Sequence, residues 1–387
     1  MNIMEMDSKY VAGTYARQEV VFVEGEGSLL KDENGKEYID FGTGIAVNTF
    51  GIADQQWQQD VCRQVQKLQH TSNLYYSEPQ AMLAQLLCEK TGMKKVFFSN
   101  SGAEANECMI KAARKYSNDK YGAGRHSIIT LNNSFHGRTV TTLAATGQDS
   151  FHTNFAPFTE GFVYAEPGDI EQIYKLAESE NPCGIMIELV QGEGGVTTLG
   201  QEYSAAVAKI CKEEDILLLI DEVQTGNGRT GALYAFMKYG LTPDIVSTAK
   251  GLAGGLPIGA TMFGEKTENV LGKSDHGSTF GGNPISAAGA LSILNRIDQK
   301  LLGEVDEKSS YIVEFLSGVK GVKSVSGMGL MLGIETEKPA GDIVKACLAK
   351  GLVVLTAKTR VRLLPALNIP METLKKGLLI LKEEIEG

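Results

Sequence analysis

The chain is organised around the segment Ile245-Val-Ser-Thr-Ala-Lys250-Gly-Leu-Ala-Gly-Gly-Leu-Pro-Ile-Gly259, in which a β-branched strand ends at a lysine and a glycine-rich turn follows. At the end of a buried strand a lysine loses hydration, which lowers its pKa. The neutral amine is the nucleophile that Schiff-base formation requires. The glycines after Lys250 let a flat ligand approach the backbone. Taken alone, the segment is more typical of a lysine that caps a strand and extends into solvent, so other segments must decide.

A carboxylate ends the preceding strand candidate, Leu217–Ile220, which continues as Asp221-Glu-Val223-Gln224. At the end of a buried strand, a carboxylate needs a cationic partner or strong hydrogen-bond donors. A helix cap would satisfy Asp221, and so would a protonated heterocyclic nitrogen. Because the next strand candidate ends at Lys250, one sheet edge could present an acid and an amine to the same ring. That combination is expected of a pyridoxal phosphate site, where the lysine binds the aldehyde and the acid binds the pyridinium.

Seven strand-like runs alternate with helical patterns in the middle of the chain. They are Val96–Ser99, Ser127–Leu131, Phe162–Ala165, Gly184–Leu189, Leu217–Ile220, Ile245–Ala249 and Ala260–Phe263. This alternation predicts an α/β fold with a mainly parallel seven-stranded sheet covered on both faces. In such sheets ligands bind beyond the carboxyl ends of the strands, so the residues that follow each strand are the candidates for a site.

Three further strand ends carry polar motifs. Ser101-Gly102-Ala103-Glu104 fits a capping box whose free amides suit a phosphate, although an ordinary N-cap is the simpler interpretation. Phe135-His-Gly-Arg138 suits ring stacking and carboxylate binding, or else a loop with an exposed arginine. Glu188-Leu-Val-Gln-Gly-Glu193 ends the next strand with two acids, although a structural turn is the simpler interpretation, and the hydroxyl- and glycine-rich loop around Ser278 suits a phosphate contact without being specific for one.

A second unit of α+β character is expected from the two ends of the chain. Glu33-Asn-Gly35 lies between two strand-like runs, which indicates a hairpin, and the C-terminal third mixes helices with short strands. We therefore predict a large domain over residues 45–285 and a small domain that combines residues 1–44 and 286–387.

Composition narrows the class of protein. The 387 residues carry a formal net charge of −10, which argues against nucleic acid or anionic membrane as a partner. The apolar run Ile216–Ile220 is too short to span a bilayer, and the first residues do not resemble a signal peptide. Six cysteines without a Cys-x-x-Cys motif and five scattered histidines predict reduced thiols, no metal site and a cytoplasmic location.

Together these segments resemble the class III (ω-) aminotransferases, which are pyridoxal phosphate enzymes of fold type I. The resemblance extends from Thr14 to Pro365, and its ordered motifs are Ser101-Gly-Ala-Glu-Ala-Asn, Phe135-His-Gly-Arg, Gln191-Gly-Glu-Gly-Gly, Asp221-Glu-Val-Gln-Thr-Gly and Ala249-Lys250. The chain departs from many relatives at Gly51-Ile-Ala-Asp-Gln, where they carry Gly-His-x-His-Pro, and at Leu189, where they carry proline.

The resemblance implies a role for each matching residue. Lys250 would bind the cofactor covalently and transfer protons, while Asp221 would keep the pyridine nitrogen protonated. The other implied cofactor contacts are Ser101, Gly102, Ala103, Phe135, Val223 and Gln224, with Thr279 contributed by the second subunit of a homodimer. The implied substrate contacts are Tyr15, Arg138, Ser278, Glu193 and Arg362, of which Glu193 and Arg362 resemble a switching ion pair.

The implied reaction is a ping-pong transamination between N2-acetylornithine and 2-oxoglutarate, which gives N-acetylglutamate 5-semialdehyde and glutamate in arginine biosynthesis. A small Thr43-Gly44-Ile45 wall leaves room for an acyl group; alternatively, Gly44 only permits a turn and other loops set the specificity. The alternatives are a related ω-aminotransferase that acts on ornithine, 4-aminobutyrate or succinylornithine, and a non-catalytic regulatory protein that binds the same cofactor.

Overall fold

The computed structural model describes residues 1–387. Its strands are β1 (Phe22–Glu26), β2 (Leu29–Asp32), β3 (Glu37–Asp40), β4 (Lys95–Ser99), β5 (Ile128–Leu131), β6 (Phe162–Ala165), β7 (Gly184–Ile187), β8 (Val190–Gln191), β9 (Thr197–Thr198), β10 (Leu217–Asp221), β11 (Ile245–Thr248), β12 (Gly259–Phe263), β13 (Val322–Met328), β14 (Met331–Thr336), β15 (Leu352–Val353), β16 (Leu355–Ala357) and β17 (Arg360–Leu363). Its right-handed α-helices are Ile3–Tyr10, Gln55–Lys67, Glu78–Thr91, Gly102–Tyr121, Val140–Ala145, Ile170–Glu180, Gln201–Glu213, Ala235–Lys238, Pro284–Leu294, Gln299–Ser317, Ala340–Ala349 and Met371–Glu386.

A seven-stranded sheet of order β4-β12-β11-β10-β7-β5-β6 lies at the centre of the fold. Strands β11, β10, β7, β5 and β6 pair in parallel, and only β12 runs antiparallel to its neighbours. Every residue of β10 and β11 is buried, as expected for apolar strands with helices on both faces. The predicted mainly parallel seven-stranded sheet is therefore confirmed.

The pairing register brings the acid and the lysine to one edge of this sheet. Asp221, the last residue of β10, lies opposite Ser247 of β11, three residues before Lys250. Because β10 and β11 are parallel, both strands end at the carboxyl edge. The predicted strands that ended at Leu189 and Ala249 stop two and one residues earlier, at Ile187 and Thr248.

Two four-stranded sheets combine the ends of the chain. One has the order β1-β2-β3-β15 and the other β13-β14-β17-β16. The predicted hairpin at Gly35 is present, and Asp32 stabilises it by accepting hydrogen bonds from the amides of Asn34 and Lys36. Strand β15 pairs in parallel with β3, so the N-terminal hairpin shares a sheet with the C-terminal region. This pairing supports the proposed small domain of residues 1–44 and 286–387.

A left-handed turn follows β3 and connects the N-terminal hairpin to the rest of the chain. Residues Thr43 to Ala46 have φ angles between +46° and +66°, a region in which β-branched residues are rare. Asp40 accepts hydrogen bonds from the amides of Gly42 and Thr43, and the Thr43 hydroxyl donates to the Leu364 carbonyl at 2.6 Å. These contacts from both ends of the chain stabilise the turn in a conformation that it would otherwise avoid.

None of the helices has the length and apolar character that a transmembrane span requires. The C-terminal helix Met371–Glu386 instead packs its apolar face against the small domain, with Leu374, Leu378 and Leu381 buried. At Gly377 this helix approaches Phe41, and an added Cβ would lie 2.4 Å from the ring.

That close approach gives a test of the packing between the two termini. Gly377→Ala should lower the free energy of unfolding by about 1–2 kcal/mol, because overpacking of about 1–3 kcal/mol outweighs the helix propensity that alanine adds. Gly303→Ala is the matched control, since Gly303 lies on an exposed helix face with no neighbour within 4 Å and should be neutral or stabilising. Urea unfolding of both variants checks this, and equal midpoints would contradict the packing described.

Candidate active site

Lys250 lies at the carboxyl edge of the central sheet, just after β11. It adopts a left-handed backbone conformation with φ +44° and opens the glycine-rich turn. Although part of its surface opens into the site, burial is the main cause that lowers the Lys250 pKa below its ordinary value. The charges of Glu193 and Asp221 oppose this shift, and Arg362 adds to it. The site therefore favours the neutral, nucleophilic form of the amine.

Asp221 is 3% exposed and is held by four hydrogen-bond donors. One carboxylate oxygen accepts from the Asn106 amide at 2.7 Å and from His136 Nδ1 at 2.8 Å. The other accepts from the Val223 amide at 3.0 Å and from the Ser247 hydroxyl at 3.4 Å. Donors on both oxygens stabilise the charged carboxylate in a buried position.

Sequence reasoning assigned no role to Asn106 or His136, although both lie inside the motifs it used. Burial lowers the His136 pKa, but the hydrogen bond to Asp221 and the charges of Asp221 and Glu188 together outweigh burial and raise the pKa above its ordinary value. His136 Nε2 is buried and has no hydrogen-bond partner, which places the ring proton on Nδ1, towards the acid. The available signal for Asn106 was a polar residue on the helix face that also carries Met109, Ile110 and Ala113, and for His136 it was a histidine inside the loop motif after β5.

The helix Gly102–Tyr121 presents free amides next to these groups. The Ser101 hydroxyl accepts from the Glu104 amide at 3.2 Å, which is one half of the predicted capping box, but the Glu104 carboxylate accepts from the Asn100 amide at 2.8 Å and not from the amide of Ser101. The amides of Gly102 and Ala103 donate to no acceptor in the chain. A Cβ at Gly102 would lie 2.6 Å from Val223, so only glycine allows this helix start beside the Asp221 strand. The helix terminus is therefore suited to bind a phosphate.

Phe135 and Arg138 lie side by side on the loop after β5. The Phe135 amide donates to Glu188 at 2.9 Å, and burial raises the pKa of that carboxyl to about 8. The exposed Arg138 guanidinium lies 5.7 Å from the centre of the Phe135 ring and 4.1 Å from that of Phe151. Phe151, which sequence reasoning did not single out, thus helps to orient Arg138 at the mouth of the site.

Glu193 and Arg362 form an ion pair between the loop after β8 and strand β17. Arg362 Nη1 donates to Glu193 at 2.6 Å and to the Gln224 side-chain oxygen at 3.0 Å. Burial opposes ionisation of Glu193, but the charge and hydrogen bond of Arg362 outweigh it and hold the Glu193 pKa below its ordinary value. A Cβ at Gly192 would lie 2.5 Å from the Gln224 side chain, which explains the glycine beside Glu193.

The remaining predicted residues lie at the surface of the single chain. The Ser278 hydroxyl accepts from the Asn100 side chain at 3.1 Å, close to the phosphate-binding helix start. Thr279 is exposed on the same loop. Tyr15 is 73% exposed, and its ring lies against the Arg17 guanidinium. One chain alone therefore does not bring Tyr15 or Thr279 to Lys250.

The grouped residues fit the predicted cofactor. Free amides at Gly102 and Ala103 suit its phosphate, the fixed carboxylate of Asp221 suits a ring nitrogen, and the neutral amine of Lys250 suits its aldehyde. Residues 10–385 match the family model described as aminotransferase class-III. The chain belongs to this family.

The relatives of this class-III aminotransferase cover its full length. It is 49% identical over 383 residues to the acetylornithine aminotransferase of Haemophilus ducreyi, with 98% of each chain covered. It is 45% identical to that of Aquifex aeolicus, with 97% of this chain and 99% of the relative covered.

Solved structures also superpose over almost the whole chain. The N-acetylornithine aminotransferase of Stenotrophomonas maltophilia K279a matches with a TM-score of 0.86 and 33% identity, covering 99% and 98% of the two chains. The ornithine aminotransferase of Toxoplasma gondii, whose active site is partly occupied by pyridoxal phosphate, matches with a TM-score of 0.94 and 30% identity, covering 99% and 93%.

Lys250 supplies the first test of this class-III aminotransferase site. Borohydride treatment of the protein with pyridoxal phosphate should fix the cofactor on Lys250 alone, because its amine is neutral and faces the site. Lys250→Ala should still bind the cofactor non-covalently but lose turnover by roughly 10²–10⁴-fold or more. Peptide mapping checks the label, with the exposed Lys273→Ala as the control. A label on another lysine would refute the assignment.

Proposed function

We propose that this class-III aminotransferase uses pyridoxal phosphate to transfer the δ-amino group of N2-acetylornithine to 2-oxoglutarate. The products are N-acetylglutamate 5-semialdehyde and glutamate. The observation that carries this proposal is the convergence of Lys250, Asp221 and the Glu193–Arg362 pair at one sheet edge. The acetylornithine aminotransferases of Haemophilus ducreyi and Aquifex aeolicus, at 49% and 45% identity over the full length, support the choice of substrate.

The cofactor supplies an aldehyde that carries the amino group and a ring that withdraws electrons from the substrate carbon. We assign its phosphate to Ser101, Gly102 and Ala103 of this chain. We assign its ring to Phe135, Val223 and Asp221, and its phenolic oxygen to Gln224. These assignments follow from the free amides, the fixed carboxylate and the side chains that surround Lys250.

Lys250 Nζ transfers the protons of the reaction. With cofactor and substrate bound, the neutral Nζ would accept a proton from the reacting substrate carbon and deliver it to the carbon of the cofactor's aldehyde, two bonds away. Burial lowers the Lys250 pKa and so favours the neutral amine that this step needs. The fixed charge of Asp221 would keep a bound ring nitrogen protonated, because Asn106 and His136 prevent the carboxylate from turning away.

The two substrates place different demands on the arginines. Glutamate reacts at its α-carbon and carries a second carboxylate, so it needs two cations, which we assign to Arg362 and Arg138. Acetylornithine reacts at its far end and needs only Arg138, near the mouth of the site. An unpaired buried Arg362 would then be unfavourable, and Glu193 and Gln224 satisfy it. Glu193 must release Arg362 when glutamate binds.

The left-handed turn supports an acylated substrate. Thr49 donates to the carbonyl of Gly251, which places the turn beside the Lys250 segment. The Thr43 hydroxyl is already bonded to Leu364, and the Asp40 carboxylate is bonded to two amides. The turn therefore offers no free acid for the ammonium group of ornithine or 4-aminobutyrate, whereas a neutral acetamide needs none.

A homodimer would complete the site. The loops around residues 74–76 and 280 expose four large apolar side chains, Leu74, Tyr75, Tyr76 and Phe280. Asn73 donates to the carbonyls of Ser278 and Gly281, so the two loops form one surface that is suited to a second copy. Thr279 lies on this surface, from which it could reach the partner's phosphate site. We also propose a cytoplasmic location, which agrees with six free cysteines.

The ion pair gives a test of the two half-reactions. Arg362→Ala should lower kcat/KM for glutamate by about 10–10²-fold, because a buried charged partner is lost, and should largely spare acetylornithine. Glu193→Ala should leave Arg362 unpaired and shift preference towards glutamate. Glu335→Ala is the control. Its partner Arg360 lies on β17, as Arg362 does, but the Arg360–Glu335 pair is partly exposed. Equal losses in both half-reactions would remove the switch from the mechanism.

The substrate itself is tested by comparing kcat/KM for acetylornithine, succinylornithine, ornithine and 4-aminobutyrate with 2-oxoglutarate. We expect acetylornithine to lead, succinylornithine to follow, and the two substrates without an acyl group to be at least about tenfold poorer, which corresponds to about 1.4 kcal/mol. A tenfold advantage for ornithine or 4-aminobutyrate would overturn the substrate and leave the aminotransferase reaction standing. No transfer from any donor, with the cofactor bound, would favour a regulatory protein.

A further inference from the structure

A second buried arginine lies close to the site but has no role in the reaction proposed above. Arg229 is 3% exposed and lies on the loop that continues from Asp221 and Gln224. Burial lowers its pKa to about 9, and the nearby Asp40 carboxylate opposes this shift. No carboxylate oxygen lies within 4.0 Å of its guanidinium. A buried cation without a direct acidic partner is unfavourable unless hydrogen bonds compensate for the hydration that it loses.

The Arg229 side chain donates to two backbone carbonyls of the C-terminal region. Its Nη1 bonds the carbonyl of Leu330 at 3.0 Å and also that of Pro365. Its own carbonyl accepts from the Leu330 amide at 2.9 Å, so the loop and the β13–β14 turn are joined in both directions. Pro365 lies three residues after Arg362. Arg229 thus connects the loop that carries Gln224 to the segment that carries Arg362.

Arg362 depends on this connection because its backbone lies in one sheet and its side-chain contacts lie beside another. Its guanidinium bonds Gln224 and the Gly192 carbonyl, which lie beyond the edge of the central sheet, whereas its backbone belongs to β17. A shift of β17 would alter both contacts and the distance to Glu193. The segment after β17 is otherwise tied mainly to the N-terminal region, where the Leu364 amide donates to Phe41 at 2.7 Å and the Leu367 amide to Thr49 at 2.9 Å.

We propose that Arg229 is a positioning residue for the dicarboxylate half-reaction. It fixes the segment after β17 against the Gln224 loop, so that the Arg362 guanidinium stays within hydrogen-bond reach of a substrate α-carboxylate. The inference rests on the proposed function, in which Arg362 binds glutamate but not acetylornithine. Because only one substrate uses Arg362, loosening β17 affects the two half-reactions unequally. A residue that merely stabilised the fold would affect both alike.

The chain offers a matched control for this position. Lys308 is also buried, and its Nζ donates to the carbonyl of Leu367 at 2.9 Å, on the same segment as Pro365. Lys308 belongs to the helix Gln299–Ser317, and its polar contacts are with Leu367 and with Glu304 of its own helix, not with the Gln224 loop. Lys308→Met and Arg229→Met therefore remove the same kind of charged donor from the same segment, and only the second breaks the link to the active-site loop.

The experiment compares wild type, Arg229→Met, Arg229→Lys and Lys308→Met as holoenzymes in each half-reaction. Arg229→Met should raise KM for glutamate and 2-oxoglutarate about tenfold while kcat/KM for acetylornithine changes less than about twofold. Arg229→Lys keeps a cation that can donate to either carbonyl, so it should recover part of the loss. Lys308→Met should change both half-reactions to the same small extent.

Calorimetric binding of glutarate, a dicarboxylate without an amino group, gives a readout independent of turnover. Arg229→Met should weaken glutarate binding about tenfold, and Lys308→Met should not. Equal effects of the two methionine variants, or equal losses in both half-reactions, would overturn the positioning role. If Arg229→Met does not fold, the same selective loss is expected, more weakly, in Arg229→Lys, and an unselective loss there overturns the proposal.

The same measurements separate this inference from the proposed function. A wild-type enzyme that ignores acetylornithine but reacts with glutamate would refute the proposed donor and leave the glutamate and glutarate comparisons intact. A wild-type enzyme that transfers the amino group as proposed, with no selective effect at Arg229, would refute only the positioning role.

Discussion

The site depends on keeping a neutral amine and a charged carboxylate next to each other in a buried place. Lys250 and Asp221 meet because β10 and β11 are adjacent, parallel and in a register that sets Asp221 opposite Ser247. Burial lowers the pKa of the amine and would also destabilise the carboxylate charge. Asn106 and His136 resolve that conflict by donating to Asp221. The chemistry thus requires the sheet edge, the helix Gly102–Tyr121 and the loop after β5 together.

The same principle governs the two buried arginines. Arg362 is compensated by Glu193 and Gln224, and Arg229 by backbone carbonyls with Asp40 nearby. Each guanidinium joins segments that are far apart in sequence, so these buried charges also fix the relative position of the units they connect. In the proposed reaction the Glu193–Arg362 pair would open for the substrate with two carboxylates and stay closed for the substrate with one.

Backbone strain is concentrated beside the reacting groups. The turn from Thr43 to Ala46 and the backbone of Lys250 both lie in the left-handed region. Asp40 accepts from an amide of the turn itself, whereas the Thr43 and Thr49 hydroxyls donate across the chain to the carbonyls of Leu364 and Gly251, and together these bonds over-determine the two conformations. Strained segments of this kind persist only where the surroundings hold them, which links the segments from both ends of the chain to the geometry around the lysine.

The sequence by itself determined the central sheet, Lys250 and Asp221 at its edge, and the capped helix at Ser101, because these follow from local apolar periodicity and from polar residues at strand ends. Tertiary structure decided what those residues touch. Asn106 and His136 reach Asp221 across 115 and 85 positions, and Arg229 reaches Pro365 across 136, separations that no local pattern encodes. The roles expected of Tyr15 and Thr279 are not visible in one chain, because both lie on its surface. Local pattern places a side chain at an edge, whereas its partners depend on how distant segments pack.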